Sequence, residues 1–165
     1  MNLLLPNLVE SLREELKQYG ELLAQLDHQQ QLVVQRQPRD LLQSVSGINA
    51  QADAVKATRH EREQHQRHVA QHLKLGEAAP FAEILPRLPQ HYQPLVEALV
   101  QENNELLVRV QQRARQNQLL LSHAVELMQR FMNAILPGAN PTTYDVAGRL
   151  PSNHLAPTSL YEAVG

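Results

Sequence analysis

The sequence predicts an all-α protein, an elongated antiparallel three-helix bundle of coiled-coil character with a flexible tail rich in proline and glycine. Apolar residues recur with seven-residue spacing along three stretches that prolines separate. Aromatic residues make up only 4% of the chain and tryptophan is absent. This composition suits long helices packed side by side around a thin core. We therefore expect a helical bundle over residues 1–136 and a tail over residues 137–165.

The first two helices are predicted over residues 6–35 and 38–75. One row of the first helix repeats every seven residues and is apolar throughout: Leu5, Leu12, Tyr19, Leu26 and Val33. Pro38 suits the first turn of the second helix, so a short turn joins the two helices into an antiparallel hairpin. The middle of the row of the second helix that should face its neighbours is polar: Arg59, Arg62 and Gln66. We expect packing to be weak there.

The last helix is predicted over residues 94–136, after a proline-rich connector over residues 76–93 with one short helical turn. Three adjacent seven-residue rows of this helix cover about 100° of the helical wheel, which is enough to pack against two helices. The first row ends in Leu127 and Ala134, the second in Phe131 and the third in Ile135. Near the C-terminal end, Val125 and Met132 join Met128 and Ile135 and widen the apolar stripe. We interpret this extra surface as either covered by the tail or offered to a partner.

Two asparagines, Asn103 and Asn117, interrupt the central row of the last helix at a spacing of two heptads. A buried amide is costly unless it is hydrogen-bonded. We predict that both are structural polar residues that fix the helix register, as a buried asparagine does in coiled coils. The alternative is a polar contact to a bound partner.

The polar residues do not predict an enzyme. The carboxylate pairs Glu14–Glu15 and Glu61/Glu63 are expected on solvated helix turns with basic neighbours, where acid–base catalysis is disfavoured. No serine lies in a nucleophile elbow and no glycine-rich loop could hold a phosphate. We expect no catalytic residue and no cofactor.

A metal site on the second helix is also disfavoured. His60, His65, His68 and His72 cluster there, and His68 and His72 are one turn apart. However, the spacing of zinc proteases is absent, and nearby arginines would repel a cation. We expect no metal ligand, although a metal-binding bundle that uses these histidines remains a rival interpretation.

The charge and hydropathy of the chain exclude two classes of partner. The net charge of -2 argues against nucleic acid, because binding phosphates needs a basic excess. No segment approaches the roughly 18 apolar residues that a membrane span requires. Leu3–Leu5 is too short for the core of a signal peptide, and the absence of cysteine suits a reducing compartment. We expect a cytoplasmic protein that does not insert into membranes.

Three segments carry a family resemblance: LVQENNELL at 99–107, NQLL at 117–120, and TYD at 143–145 followed by Gly148. They resemble the FlgN family of flagellar export chaperones, in which the long last helix carries asparagines at similar intervals. A tyrosine-centred segment with a following glycine comes next in that family. The resemblance covers most of the chain, and the proline-rich connector departs from it.

The resemblance implies a cytoplasmic chaperone that binds the C-terminal segments of hook-associated proteins and delivers them to the export gate of the flagellar type III system. Such segments are amphipathic, so an apolar helix surface suits them, and methionine accommodates several partners. The partner-binding residues expected there are Val125, Met128, Met132 and Ile135.

Tyr144 matches the tail tyrosine that the family uses for docking at the gate. The alternative role for Tyr144 is to hold the tail on the bundle. The rival function is a structural or adaptor bundle that mediates protein–protein interaction without a flagellar role. Self-association is left open.

Overall fold

The computed structural model describes residues 3–135, which form helices and connecting turns without a strand. The helices are α1 (Leu4–Val34), α2 (Pro38–His72), the short α3 (Phe81–Ile84), which a 3-10 turn (Leu85–Arg87) extends, and α4 (Gln93–Ile135). The prediction of an all-α helical bundle is confirmed. The predicted tail, residues 137–165, lies outside the described residues.

Two helix ends differ from the predicted positions by two or three residues, for local reasons. α1 begins at Leu4, before Pro6, because the first N–H groups of a helix need no intrahelical partner and proline is therefore tolerated there. α2 ends at His72 because Lys74 adopts the left-handed conformation, with a φ of 57°. The N–H groups of Lys74 and Leu75 then bond back to the carbonyls of Gln71 and Ala70, which closes the last turn.

α1 is the central helix and packs against both α2 and α4. Its neighbour α2 runs antiparallel, since Gln18 of α1 meets Gln51 and Glu15 meets Arg62. α4 runs parallel to α1 at a constant offset of 91 residues, which contacts at both Asn103 and Asn117 define. α2 and α4 make few direct contacts with each other. The apolar faces of both helices are therefore buried mainly against α1.

The core consists of two apolar clusters along α1. The cluster near the start of α1 includes Leu8 and Leu12, together with Ile84 of α3 and Val96 of α4. The connector thus contributes to the core at this end of the bundle. The second cluster lies farther along α1 and joins residues of α1, α2 and α4: Tyr19, Leu22, Leu26, Ile48, Val55, Val110 and Ala114. Neither cluster includes a residue of α4 beyond Ala114.

Candidate functional site

Residues 122–135 of α4 are all exposed, although the helix continues through them without a break. The last fully buried position of α4 is Asn117. With the offset of 91 residues, Val34 at the end of α1 is level with Val125 of α4. α4 therefore projects past the hairpin of α1 and α2. We call residues 122–135 the α4 extension, and its length is about 20 Å at 1.5 Å per residue.

The apolar side chains of the α4 extension share one half of the helix. At about 100° per residue, they fall within roughly 180° of the circumference, and the polar side chains fill the opposite half. The large apolar residues of this half are between 53% and 65% exposed: Val125, Leu127, Met128, Phe131, Met132 and Ile135. The same half continues the face that carries Val110 and Asn117 inside the bundle. A contiguous apolar surface of this kind is typical of an interaction site.

The structure places Val125, Met128, Met132 and Ile135 together on the apolar half of the α4 extension. Leu127 and Phe131 lie there too, although the heptad spacing predicts that their rows pack against neighbouring helices. Those rows lose their neighbours because α1 ends at Val34. The signal in the sequence is the difference in length between the first and the last predicted helix.

Asn103 and Asn117 both lie inside the bundle and bond to α1. The Nδ2 atom of Asn103 donates to the carbonyls of Leu12 at 3.0 Å and of Leu99 at 2.9 Å. The Nδ2 atom of Asn117 donates to the carbonyl of Leu26 at 2.7 Å. The Oδ1 atoms of both are buried without a hydrogen-bond partner among residues 3–135. Two equivalent contacts at one offset are the arrangement that a register-fixing role requires.

A buried ion pair joins α1 to α2, and the expected surface position of Glu15 was wrong. Glu15 is 3% exposed, and its carboxylate accepts from Arg62 Nε at 2.9 Å and from the Tyr19 hydroxyl at 3.2 Å. Burial, and then the Glu15 carboxylate, raise the pKa of Tyr19 to about 12. Glu15 follows Leu12 by three residues and precedes Tyr19 by four, so the heptad spacing already places it on the apolar face of α1.

Arg62 also connects the hairpin to α3. Its guanidinium lies 5.9 Å from the centre of the Phe81 ring, and its Nη1 atom donates to Gln66 at 2.7 Å. Gln66 in turn donates to the carbonyl of Ala79 at 2.8 Å. A cavity of about 460 Å³ lies beside this network. We interpret the network as a structural one, since the carboxylate of Glu15 is engaged by two partners inside the bundle.

Two histidines of α2, His65 and His68, are neighbours in the structure. The His65 and His68 rings are 6.5 Å apart, and His65 lies 3.9 Å from a Glu61 oxygen. Residues 3–135 contain no group of three or more His, Cys, Asp or Glu side chains placed to hold a metal ion. Within the same range, no helix has the length and apolar character needed to cross a membrane.

A comparison with protein-family models gives a match to FlgN protein over residues 1–152. The chain belongs to the FlgN family. Neither curated proteins nor solved structures gave a match.

Membership assigns the general function. FlgN proteins are flagellar export chaperones that bind flagellar export substrates, and the family is one of chaperones rather than enzymes. The FlgN match extends past the α4 extension into the tail and includes Tyr144. Tyr144 lies outside the described residues, so its role stays a prediction.

Proposed function

We propose that this FlgN-family chain is a cytoplasmic chaperone that holds the C-terminal segments of hook-associated proteins and delivers them to the flagellar export gate. The α4 extension is the observation that supports the binding step. It is a continuous helix segment with an apolar half that no other element of residues 3–135 covers. A chaperone needs such a surface free in its empty state, so that a substrate can take the place of a packing partner.

An amphipathic helix is the ligand that fits this surface best. Its apolar face would pack against the apolar half of the α4 extension, one helix against another. Met128 and Met132 are unbranched and adaptable, so the surface can accept different sequences. Fully burying one side chain of this size contributes about 1.5–3 kcal/mol, and several act together.

Co-expression of the tagged full-length chain with hook-associated proteins tests the binding step. We expect the intact hook-associated protein to co-purify with the tagged chain. A version without its C-terminal segment should not co-purify. A flagellar export substrate of another class is the matched control. Capture of the control in place of the hook-associated protein would reassign the substrate.

Tyr144 is the residue we propose for docking at the export gate, because it matches the tail tyrosine of the family. A tyrosine is well suited to such a contact, since it offers a large apolar area and a hydroxyl at low entropic cost. In Tyr144→Ala we expect normal folding and substrate capture, with loss of binding to the cytoplasmic domain of the gate.

Both affinities are measured on the same Tyr144→Ala protein. Intact gate binding would remove the docking role. Loss of substrate binding would instead assign the tail to the substrate site.

A further inference from the structure

Residues 56–68 of α2 connect the two apolar clusters and belong to neither. Val55 is buried in the cluster that joins α1, α2 and α4, and Val69 is buried in the cluster near the start of α1. Every residue between them is half-buried or exposed. We call residues 56–68 the polar segment, and its length is about 20 Å at 1.5 Å per residue. Apolar burial therefore holds α2 at both ends of the polar segment and not within it.

The polar segment has open space on two flanks. On one flank Arg59, Arg62 and Gln66 form a wall of the cavity of about 460 Å³. On the other flank a groove of about 260 Å³ lies between α1 and the side chains of Thr58 and Glu61. Since the stabilisation from burial is proportional to the apolar area removed from water, it contributes little along this part of α2.

Polar contacts connect the polar segment to its neighbours. Arg62 pairs with Glu15 of α1 at 2.9 Å, and Gln66 donates to the carbonyl of Ala79 at 2.8 Å. A buried ion pair adds little net stability, because much of its attraction is offset by the hydration that both charges lose. A helix of about 13 residues is also only marginally stable in water by itself, since most helix stability in proteins comes from a packed apolar face.

We infer that the polar segment opens locally while both apolar clusters stay closed. Opening unwinds the middle of α2, breaks its ion pair with α1 and lets water hydrate both charges. Val55 and Val69 stay buried, so the open segment is a short loop that closes again at low entropic cost. The cavity then becomes a groove between α1 and α4 that is open along α2, with Tyr19, Val100 and Leu107 among its lining residues. The fold can thus expose an internal face of α1 and α4 without unfolding.

Hydrogen exchange of the full-length chain, followed by mass spectrometry, tests this inference. After correction for intrinsic rates, amides of the polar segment should exchange at least about tenfold faster than amides of residues 48–55 in the same helix. In low concentrations of urea the polar segment should keep its rate, because local opening exposes little surface. Exchange in residues 48–55 should accelerate under the same conditions. Equal protection of both parts of α2 would overturn the inference.

Two leucine variants test whether opening depends on the cavity. Arg59→Leu places an apolar side chain in the cavity wall, so exchange of the polar segment should slow by about tenfold. Arg67→Leu makes the same substitution at an exposed position of the same segment and should leave the rate unchanged. An unchanged rate in Arg59→Leu, or the same decrease in both variants, would contradict the link between opening and the cavity.

Discussion

Asn117 joins α4 to α1 through two hydrogen bonds in a site that solvent does not reach. Its Nδ2 atom donates to the Leu26 carbonyl at 2.7 Å and to Gln29 Oε1 at 3.1 Å. Asn117 is 0% exposed and Gln29 is 2% exposed. Replacing Asn117 by alanine would remove both donors and leave a small cavity between the helices.

The expected loss follows from these contacts. Leaving the buried Gln29 oxygen without a donor costs about 1–3 kcal/mol, and the second lost bond contributes about 1 kcal/mol. We therefore expect Asn117→Ala to lower the free energy of unfolding by about 2–4 kcal/mol. Asn117→Leu fills the space but still leaves the Gln29 oxygen unpaired. Combining it with Gln29→Leu replaces both partners by apolar groups, so the double variant should recover most of the loss.

Urea denaturation followed by circular dichroism measures these differences. The four proteins of the cycle should show a coupling of about 1–2 kcal/mol between positions 29 and 117. A loss below about 0.5 kcal/mol in Asn117→Ala would mean that the two hydrogen bonds contribute little in solution. Full additivity of the two leucine substitutions would show that the side chains do not act as a pair.

Two further predictions concern Tyr19 and Gly20 of α1. The pKa of Tyr19 is raised to about 12, so the stability it contributes is fully present below pH 10, the ordinary pKa, and is lost as the pH rises toward 12. Denaturation at pH 9 and pH 11.5 should show an alkaline loss of up to about 2 kcal/mol that Tyr19→Phe lacks. Equal losses in both proteins would refute this contribution of Tyr19. A Cβ at Gly20 would lie 4.0 Å from Leu106 Cδ2, an ordinary contact. Gly20→Ala should therefore stabilise the protein by about 1 kcal/mol, and a lower melting temperature would contradict this.

The heptad rows predicted the helices because each helix buries one face, and this periodicity is a property of the sequence alone. The pairing of Glu15 with Arg62 could not be predicted in the same way. Its two residues are 47 positions apart, and only the register of the α1–α2 hairpin brings them together. The charge of Glu15 predicts a position at the surface, although its spacing places it on the apolar face of α1. A buried carboxylate is stable there because a guanidinium and a hydroxyl compensate it.

The candidate surface was predicted in part, for a related reason. The widening of the stripe at Val125 and Met132 is visible in the sequence, and both residues are exposed in the structure. The exposure of Leu127 and Phe131 depends on how far α4 runs past α1. That distance follows from the offset of 91 residues, which the contacts of Asn103 and Asn117 define. Periodicity places residues on a face, whereas contacts between helices decide where that face loses its partner.

Isothermal titration calorimetry of Met132→Glu with a C-terminal fragment of a hook-associated protein tests most directly whether the α4 extension holds the substrate. Met132 is 53% exposed, so the substitution should leave the fold intact, which circular dichroism checks. A carboxylate buried against the ligand without a partner costs several kcal/mol, so binding should weaken at least tenfold. Gln129→Glu adds the same charge to the polar half of the same segment and should bind like the unaltered chain. Full binding by a folded Met132→Glu protein would show that the substrate does not lie on this surface.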